Sequence, residues 1–131
     1  MANFHVTGTF EVKLEPMGEP SDFPGRMSIN KTFEGALSAT SHGQMLSHRT
    51  ETPGSAGYVA MELVTGTLEG REGSFVLQHY GLMNRGEPSL IVSVVPDSGT
   101  GQLEGINGSM QIDITDGKHH YDFAYTLPSN D

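Results

Sequence analysis

Glu62 and His79 are the residues of this chain whose types best suit general acid–base chemistry. They lie in two alternating segments, 58–69 and 74–83, on either side of Gly70-Arg71-Glu72-Gly73, a sequence typical of a tight hairpin turn. In that hairpin the two side chains share one face and lie one diagonal step apart, within reach of each other. A carboxylate beside an imidazole in a dry cavity can act as a general base pair, so both are candidate catalytic residues.

The register of this hairpin depends on which residues form its turn, and we take Arg71-Glu72 as the two-residue loop. The expected facing pairs are then Leu68 with Phe75, Gly66 with Leu77, Val64 with His79, and Glu62 with Gly81. Either face of this hairpin could form the core, and we assign to the interior the one that collects Leu68, Phe75 and Leu77. That face carries Tyr58, Ala60, Glu62, Val64, Leu68, Phe75, Leu77, His79 and Met83.

Five further polar residues fall on predicted interior faces and are candidate ligand-binding residues: Lys31, Tyr58, His119, Tyr121 and Tyr125. Burial favours the neutral form of Glu62, whereas a nearby Lys31 favours the carboxylate. A second interpretation is a structural Lys31–Glu62 pair that fixes strand register, with His79 satisfied by hydrogen bonding. Both interpretations require pairing, because charged side chains are rarely buried alone.

Metal, phosphate and serine-nucleophile sites are poorly supported by the sequence. His119 and His120 are adjacent in a strand and therefore point to opposite faces, and His42 and His48 lack a suitably spaced carboxylate. The glycine-rich segments precede no helix, and no G-x-S-x-G motif is present. We expect no metal site and no cofactor, and we expect His5 to be a solvated surface residue.

Short alternating segments separated by glycine-rich turns must position these side chains. Phe4 to Leu14 has period two, with its apolar residues on one face. The other predicted strands are 27–37, 41–49, 58–69, 74–83, 90–95, 109–115 and 119–125, with loops at 15–25, 50–57 and 96–105. Asp116-Gly117 predicts a type I′ turn. This turn pairs Ile114 with His119, Ile112 with Tyr121, Met110 with Phe123 and Gly108 with Tyr125 across the two strands.

About eight strands joined mostly by hairpins, without a capped helical stretch, predict an all-β fold. Eight antiparallel strands with one apolar face can close into a barrel, which leaves no exposed strand edges. The 131 residues fit one such domain, spanning 1–131. The interior of a barrel of this size is either just filled by side chains or holds one small ligand.

Composition excludes several classes of partner. The formal net charge of −9 disfavours nucleic acid and anionic membrane surfaces. The absence of Cys excludes disulfides and thiolate sites. No apolar run reaches the roughly 20 residues that span a bilayer, and residues 1–14 lack the layout of a signal peptide. We therefore expect a cytoplasmic protein.

The predicted outer face of the central hairpin is unusually apolar and indicates self-association. It carries Met61, Leu63, Val76, Tyr80 and Leu82, extended by Ile91 and Val95. Residues 90–95 are apolar on both faces except for Ser93, so we expect this strand to be covered on both sides or to lie in a subunit contact. A contiguous apolar patch usually marks an interface, which predicts a homo-oligomer, most simply a dimer.

Five stretches carry a resemblance to a known family. They are GTFEV at 8–12, GRMSINKTFEG at 25–35, GSAGYVAMELVTGTLEGREGSFVLQHYG at 54–81, VVPDSGTGQLEGINGSM at 94–110 and DGKHHYDFAYTL at 116–127. Together they resemble a bacterial family of unknown function grouped with the allene-oxide-cyclase-like barrels. That superfamily includes plant allene oxide cyclase and the dirigent proteins, whose barrels hold hydrophobic small molecules while a ring or bond forms.

The resemblance implies a barrel fold and carries over no catalytic residue. Within it, Gly99 to Gly101, followed by Gly105 and Gly108, looks like the glycine-rich stretch of dirigent proteins. Three functions remain open. The first is a barrel that binds a small hydrophobic or aromatic molecule in its cavity. The second is a cofactor-free isomerase or cyclase using Glu62 or His79, and the third is a structural barrel with a filled interior.

Overall fold

Each alternating segment of the sequence forms a strand in the computed structural model, which describes residues 2–128. The strands are β1 (Ala2–Met17), β2 (Gly25–Gly35), β3 (Leu37–Arg49), β4 (Ala56–Leu68), β5 (Arg71–Asn84), β6 (Glu87–Val94), β7 (Asn107–Thr115) and β8 (Lys118–Leu127). Sequence neighbours pair antiparallel, and β8 pairs with β1 to close the barrel. The predicted all-β, eight-stranded closed antiparallel barrel is confirmed.

Strand β1 is longer than its alternation predicted and runs through residues that were expected to form a loop. Pro16 pairs with Met27 of β2 and lies in the strand. Strand β8 pairs with β1 only as far as Phe10. Pro16 therefore lies where β1 has one neighbouring strand, a position that tolerates a residue without an N–H. Strand β3 likewise begins at Leu37 rather than at the predicted Ser41.

The first central turn differs from the prediction. Glu69 and Gly70 form the turn with φ of 48° and 81°, and Leu68 pairs directly with Arg71. The expected Arg71-Glu72 loop is therefore wrong. A type I′ turn requires positive φ at both central residues, and Gly70 meets that requirement at no steric cost.

The corrected turn changes the facing pairs of β4 and β5 but not their faces. Glu62 faces Leu77 instead of Gly81, and Ala60 rather than Val64 faces His79. Because these alternative partners lie on the same side of β5, the interior face is the one expected. Glu62 and His79 remain one diagonal step apart.

The last hairpin follows the prediction. Asp116 and Gly117 have φ of 54° and 76°, as a type I′ turn requires. All four expected pairs form, from Ile114 with His119 to Gly108 with Tyr125. The register of β7 and β8 is therefore confirmed.

Aromatic and aliphatic side chains fill much of the barrel interior. The largest fully buried ones are Tyr121, Tyr125, Phe33, Phe75, Phe123, Leu37, Leu68, Leu77, Leu103 and Ile106. They join one core cluster in which Phe75 stacks on Phe123 with ring centroids 5.8 Å apart. Their packing supplies the hydrophobic stabilisation of the barrel.

The segment after β6 closes one end of the barrel. It contains a 3₁₀ turn at Gly101–Leu103 and contributes the fully buried Leu103 and Ile106 to the core. Hydrogen bonds anchor it to β5, since Thr100 N donates to Ser74 O at 2.8 Å. Within residues 2–128, no helix is long and apolar enough to cross a membrane.

Strand β6 pairs with β7 over a short ladder. In the described part of the chain, its ladder with β7 comprises the pairs Val92–Met110 and Ser93–Ser109. Leu90 and Ile91 precede these pairs and are exposed. In the described chain this strand is therefore not covered on both sides, and a subunit contact is the alternative that its composition allows.

Candidate functional site

Four polar side chains from neighbouring strands meet inside the barrel around Glu62. Lys31 Nζ and His79 Nε2 donate to Glu62 Oε1 at 3.0 Å and 2.8 Å, and Ser41 Oγ donates to Oε2 at 2.7 Å. Lys31 pairs with Ser41 across β2 and β3, and Ser41 pairs with Val64, two residues from Glu62 on β4. The structure thus brings together three residues that the sequence singled out, Lys31, Glu62 and His79, and adds Ser41.

The environment of Glu62 keeps it ionised. Burial raises the pKa of Glu62, but the hydrogen bond from His79, the charge of Lys31 and the hydrogen bond from Ser41 outweigh burial and lower the pKa to about 2. An ionised carboxylate only accepts hydrogen bonds, so His79 must carry its proton on Nε2 to donate to it.

Lys31 is held between the carboxylate and two aromatic rings. Its Nζ lies 4.7 Å from the ring centroid of Phe10 and 5.8 Å from that of Phe33. The side chains of Lys31 and Glu62 are 6% and 0% exposed. Such rings attract a desolvated ammonium group, which adds to the ion pair.

The cluster as it stands is a satisfied ion pair. Among the described residues, no buried side-chain nitrogen or oxygen lacks a hydrogen-bond partner. A carboxylate with a low pKa and occupied oxygens is a weak base at neutral pH. The geometry around Glu62 therefore favours the structural interpretation of the Lys31–Glu62 pair.

A cavity of about 760 Å³ opens at the end of the barrel opposite the closing segment. The starts of β2, β4 and β6, the ends of β3 and β5, and the loop between β1 and β2 surround it. Its lining is largely apolar and includes Phe23, Met27, Met45, Tyr58, Met83 and Leu90. We call it the mouth cavity.

Tyr58 connects the mouth cavity to the buried cluster. It lines the cavity, and burial together with the negative charge of Glu62 raises its pKa, so its hydroxyl stays protonated at neutral pH. The ring lies against Gly81, where an added Cβ would come within 2.2 Å of the ring atom Cε1. Glycine at position 81 therefore makes room for this tyrosine.

The other tyrosines named as candidates lie at the closed end of the barrel. The Tyr121 hydroxyl donates to Glu34 O at 3.0 Å and accepts from Leu37 N at 2.9 Å. Tyr125 donates to the Glu69 carboxylate in the β4–β5 turn at 2.6 Å. Burial raises the pKa of both groups, and the Glu69 carboxylate adds to the effect on Tyr125. Neither residue is among those lining the mouth cavity.

The histidines outside the cluster lie near the surface. His119 is half-buried, with its ring centroid 5.0 Å from that of Phe10. His5 is exposed, as expected, and pairs with Asp122. Among residues 2–128, no group of three or more His, Cys, Asp or Glu side chains is placed to hold a metal ion.

Sequence reasoning passed over most of the mouth-cavity lining. Met27 and Met45 face each other across β2 and β3, and the sequence pattern singled out neither of them. The available signal was positional, since Met27, Met45 and Met83 all fall at strand ends on the interior side. Phe23 lies in a loop and has no periodicity to reveal it, although its ring contacts His48 edge-on at 5.3 Å.

Comparison with known proteins places the chain in a family. The sequence profile described as "Protein of unknown function (DUF3224)" matches residues 3–125. The chain is similar to a DUF3224 protein of unknown function from Shewanella oneidensis MR-1 whose crystal structure is known. The two are 47% identical with a TM-score of 0.92, over 98% of this chain and 99% of that chain. No curated protein matches the chain. The chain belongs to the DUF3224 family.

Proposed function

We propose that this protein binds a small hydrophobic or aromatic molecule in the mouth cavity. The observation that carries the proposal is the size and lining of that cavity, about 760 Å³ and largely apolar. Binding sites for small molecules typically have volumes of about 300–1,000 Å³ and a mainly apolar wall with a few polar groups. The mouth cavity fits this description, whereas the interior below it is occupied by the core cluster.

The side chains of the wall favour an aromatic ligand. Met27, Met45 and Met83 present flexible, polarisable thioethers, which adapt to a ligand and contact aromatic rings favourably. Phe23 and Tyr58 add rings that can stack on a planar molecule. His48 and Arg49 supply polar groups in the same wall.

A cofactor-free isomerase or cyclase is the second candidate function. The observation in its favour is Tyr58, which lines the mouth cavity and whose hydroxyl stays protonated at neutral pH. Such a group can donate to a ligand carbonyl and stabilise negative charge developing on it. In this case Glu62 acts beneath Tyr58 as a fixed negative charge held in place by His79, rather than by removing a proton itself.

We also propose a distant relationship to the allene-oxide-cyclase-like barrels. Closure by eight antiparallel strands supports it, as does the glycine-rich segment from Gly99 to Gly108. In that superfamily the barrels hold hydrophobic small molecules. The relationship therefore agrees with a hydrophobic ligand for this chain and names no particular substrate.

Fluorescence of N-phenyl-1-naphthylamine, a neutral aromatic probe that brightens in apolar sites, tests the binding function. We expect saturable binding of one probe per chain. Met45→Glu and Met83→Glu each place a carboxylate in the cavity wall and should weaken binding at least about tenfold, because the charge must be desolvated.

Ile114→Glu is the matched control. Ile114 is exposed on β7, outside the mouth-cavity lining, so this variant adds the same charge without touching the cavity. Its affinity for the probe should equal that of the wild type. No saturable binding, or equal losses in all three folded variants, would contradict the proposal.

A pair of probes separates the second candidate from simple binding. 2-Acetylnaphthalene carries a carbonyl, and 2-ethylnaphthalene does not. If Tyr58 donates to the carbonyl, Tyr58→Phe should weaken the first probe about three- to tenfold, the value of one hydrogen bond, and leave the second unchanged. Equal affinities of the ketone for the wild type and Tyr58→Phe would exclude Tyr58 as a donor and leave simple binding as the proposed function.

A further inference from the structure

An exposed apolar surface covers the outer side of the central strands. Val59, Met61 and Leu63 of β4, Tyr80 of β5 and Ile91 of β6 are all exposed, and we call them the β4–β6 face. Val59 pairs with Tyr80, and Tyr80 pairs with Ile91, so these side chains lie side by side across three strands. Leu46 of β3 pairs with Val59 and extends the surface by one strand.

The β4–β6 face carries no formal charge. The outward positions within 38–48, 57–67, 74–84 and 89–93 contain no Asp, Glu, Lys or Arg. The chain as a whole has 16 acidic and 7 basic residues. The opposite side of the barrel carries part of them, with Glu11 and Lys13 on β1 and Asp122 on β8. An uncharged apolar face on so acidic a chain indicates a surface that a binding partner covers and shields from water.

We propose that a second copy of this chain covers the β4–β6 face and forms a two-fold symmetric dimer. A two-fold interface places a surface against itself, so the surface must be self-complementary. Two copies with a net charge of −9 repel each other, and they can approach closely only where no carboxylates meet. The β4–β6 face meets both conditions, whereas the side of the barrel that carries Glu11 and Asp122 does not.

The size of the face suits this occupant. Four strands about 4.8 Å apart and seven residues at about 3.4 Å per residue give a face roughly 20 Å on a side, or about 400 Å² in projection. A corrugated side-chain surface has more accessible area than its projection, so the face supplies at least half of the roughly 800 Å² that each partner contributes to an interface of standard size. Gln44 of β3, Thr65 of β4 and Ser93 of β6 lie at its margins, and the exposed Gln78 of β5 lies within it, paired with Met61.

Light scattering coupled to size exclusion, at micromolar concentration, tests the dimer. We expect the wild type at twice the 14.1 kDa mass of the chain. Ile91→Glu and Tyr80→Glu should each return the mass of the monomer, because each substitution buries two carboxylates, one from each copy, in an apolar interface. Thermal melting confirms that the variants are folded.

Ile114→Glu is again the matched control. Ile114 is 62% exposed and Ile91 is 61% exposed, but Ile114 lies outside the β4–β6 face and Ile91 lies within it. It should remain a dimer. Added salt should strengthen the dimer, because it screens the repulsion between acidic copies. A monomeric wild type would overturn the proposal and leave the face to a different partner. Dissociation by salt, or equal behaviour of the Ile91 and Ile114 variants, would also overturn it.

Discussion

Glu62 links its own strand to three others inside the barrel. Its two oxygens accept hydrogen bonds from Lys31, His79 and Ser41, each from a different strand. The period-two pattern predicted the inward direction of Lys31, Glu62 and His79. It did not predict Ser41, because a small hydroxyl on an inward position looks like any other small residue. Its contact depends on diagonal distances that only the folded register sets.

Glu62→Gln should lower the free energy of unfolding by about 3–5 kcal/mol, since it leaves the Lys31 ammonium buried without its counter-charge. Lys31→Met should lower the free energy of unfolding by a similar amount, because it leaves the Glu62 carboxylate buried without its counter-charge. Urea unfolding of both single variants and the double variant measures the coupling. We expect the double variant to be much more stable than the sum of the two losses implies. Additive losses would show that water reaches the pair and that the structural interpretation is wrong.

The pKa of Glu62 predicts how stability depends on acidity. Its folded-state pKa, about 2, lies below the ordinary value of 4.5, so the unfolded chain binds the proton more readily. The stabilisation is therefore fully present above pH 4.5 and is lost as the pH falls towards 2. Urea unfolding between these pH values should show a steeper decline for the wild type than for Lys31→Met/Glu62→Gln. Parallel declines would contradict the assignment.

At the scale of elements, the two tight turns show what a sequence reveals about register. Asp116-Gly117 has one plausible placement and was predicted correctly. The segment Glu69-Gly70-Arg71-Glu72-Gly73 offers two glycines, and the turn uses the first of them. Both placements leave the same residues inside, so the side-chain pattern could not separate them. The turn stereochemistry, which requires positive φ at both central residues, selects Glu69-Gly70.

Gly117→Val tests the turn chemistry of the β7–β8 hairpin. A Cβ at this position meets no atom within 4 Å, so the cost comes from the backbone, which has φ of 76°. We expect a loss of about 1–2 kcal/mol in unfolding free energy, measured by thermal or urea unfolding. Gly117→Asn is the control and should cost much less, because asparagine tolerates this conformation. Equal losses would mean that side-chain bulk, not backbone conformation, matters there.

At the scale of the whole molecule, packed side chains close one end of the barrel and the mouth cavity opens at the other. Closure by eight strands was predictable, because alternating segments and hairpin turns leave few ways to cover every edge. Which end of the barrel is closed and which end carries the cavity was not predictable. Residues 96–105 were read as an irregular loop, yet Leu103 of this segment, with Ile106 just beyond it, closes one end. The mouth cavity depends on residues from five strands and a loop, which meet only in three dimensions.

The proposed function places a small aromatic molecule at the mouth of the barrel and not in its interior or on its outer face. The seven methionines allow one measurement to test all three locations. Met27, Met45 and Met83 line the mouth cavity, Met110 is buried in the core and Met61 is exposed on the β4–β6 face.

Methyl NMR of the protein labelled with ¹³C-methyl methionine, titrated with N-phenyl-1-naphthylamine, is the most direct test. We expect saturable shifts of the Met27, Met45 and Met83 signals at one common affinity, with Met61 and Met110 unchanged. Shifts centred on Met110 or Met61, or a titration that moves no methionine signal, would contradict it.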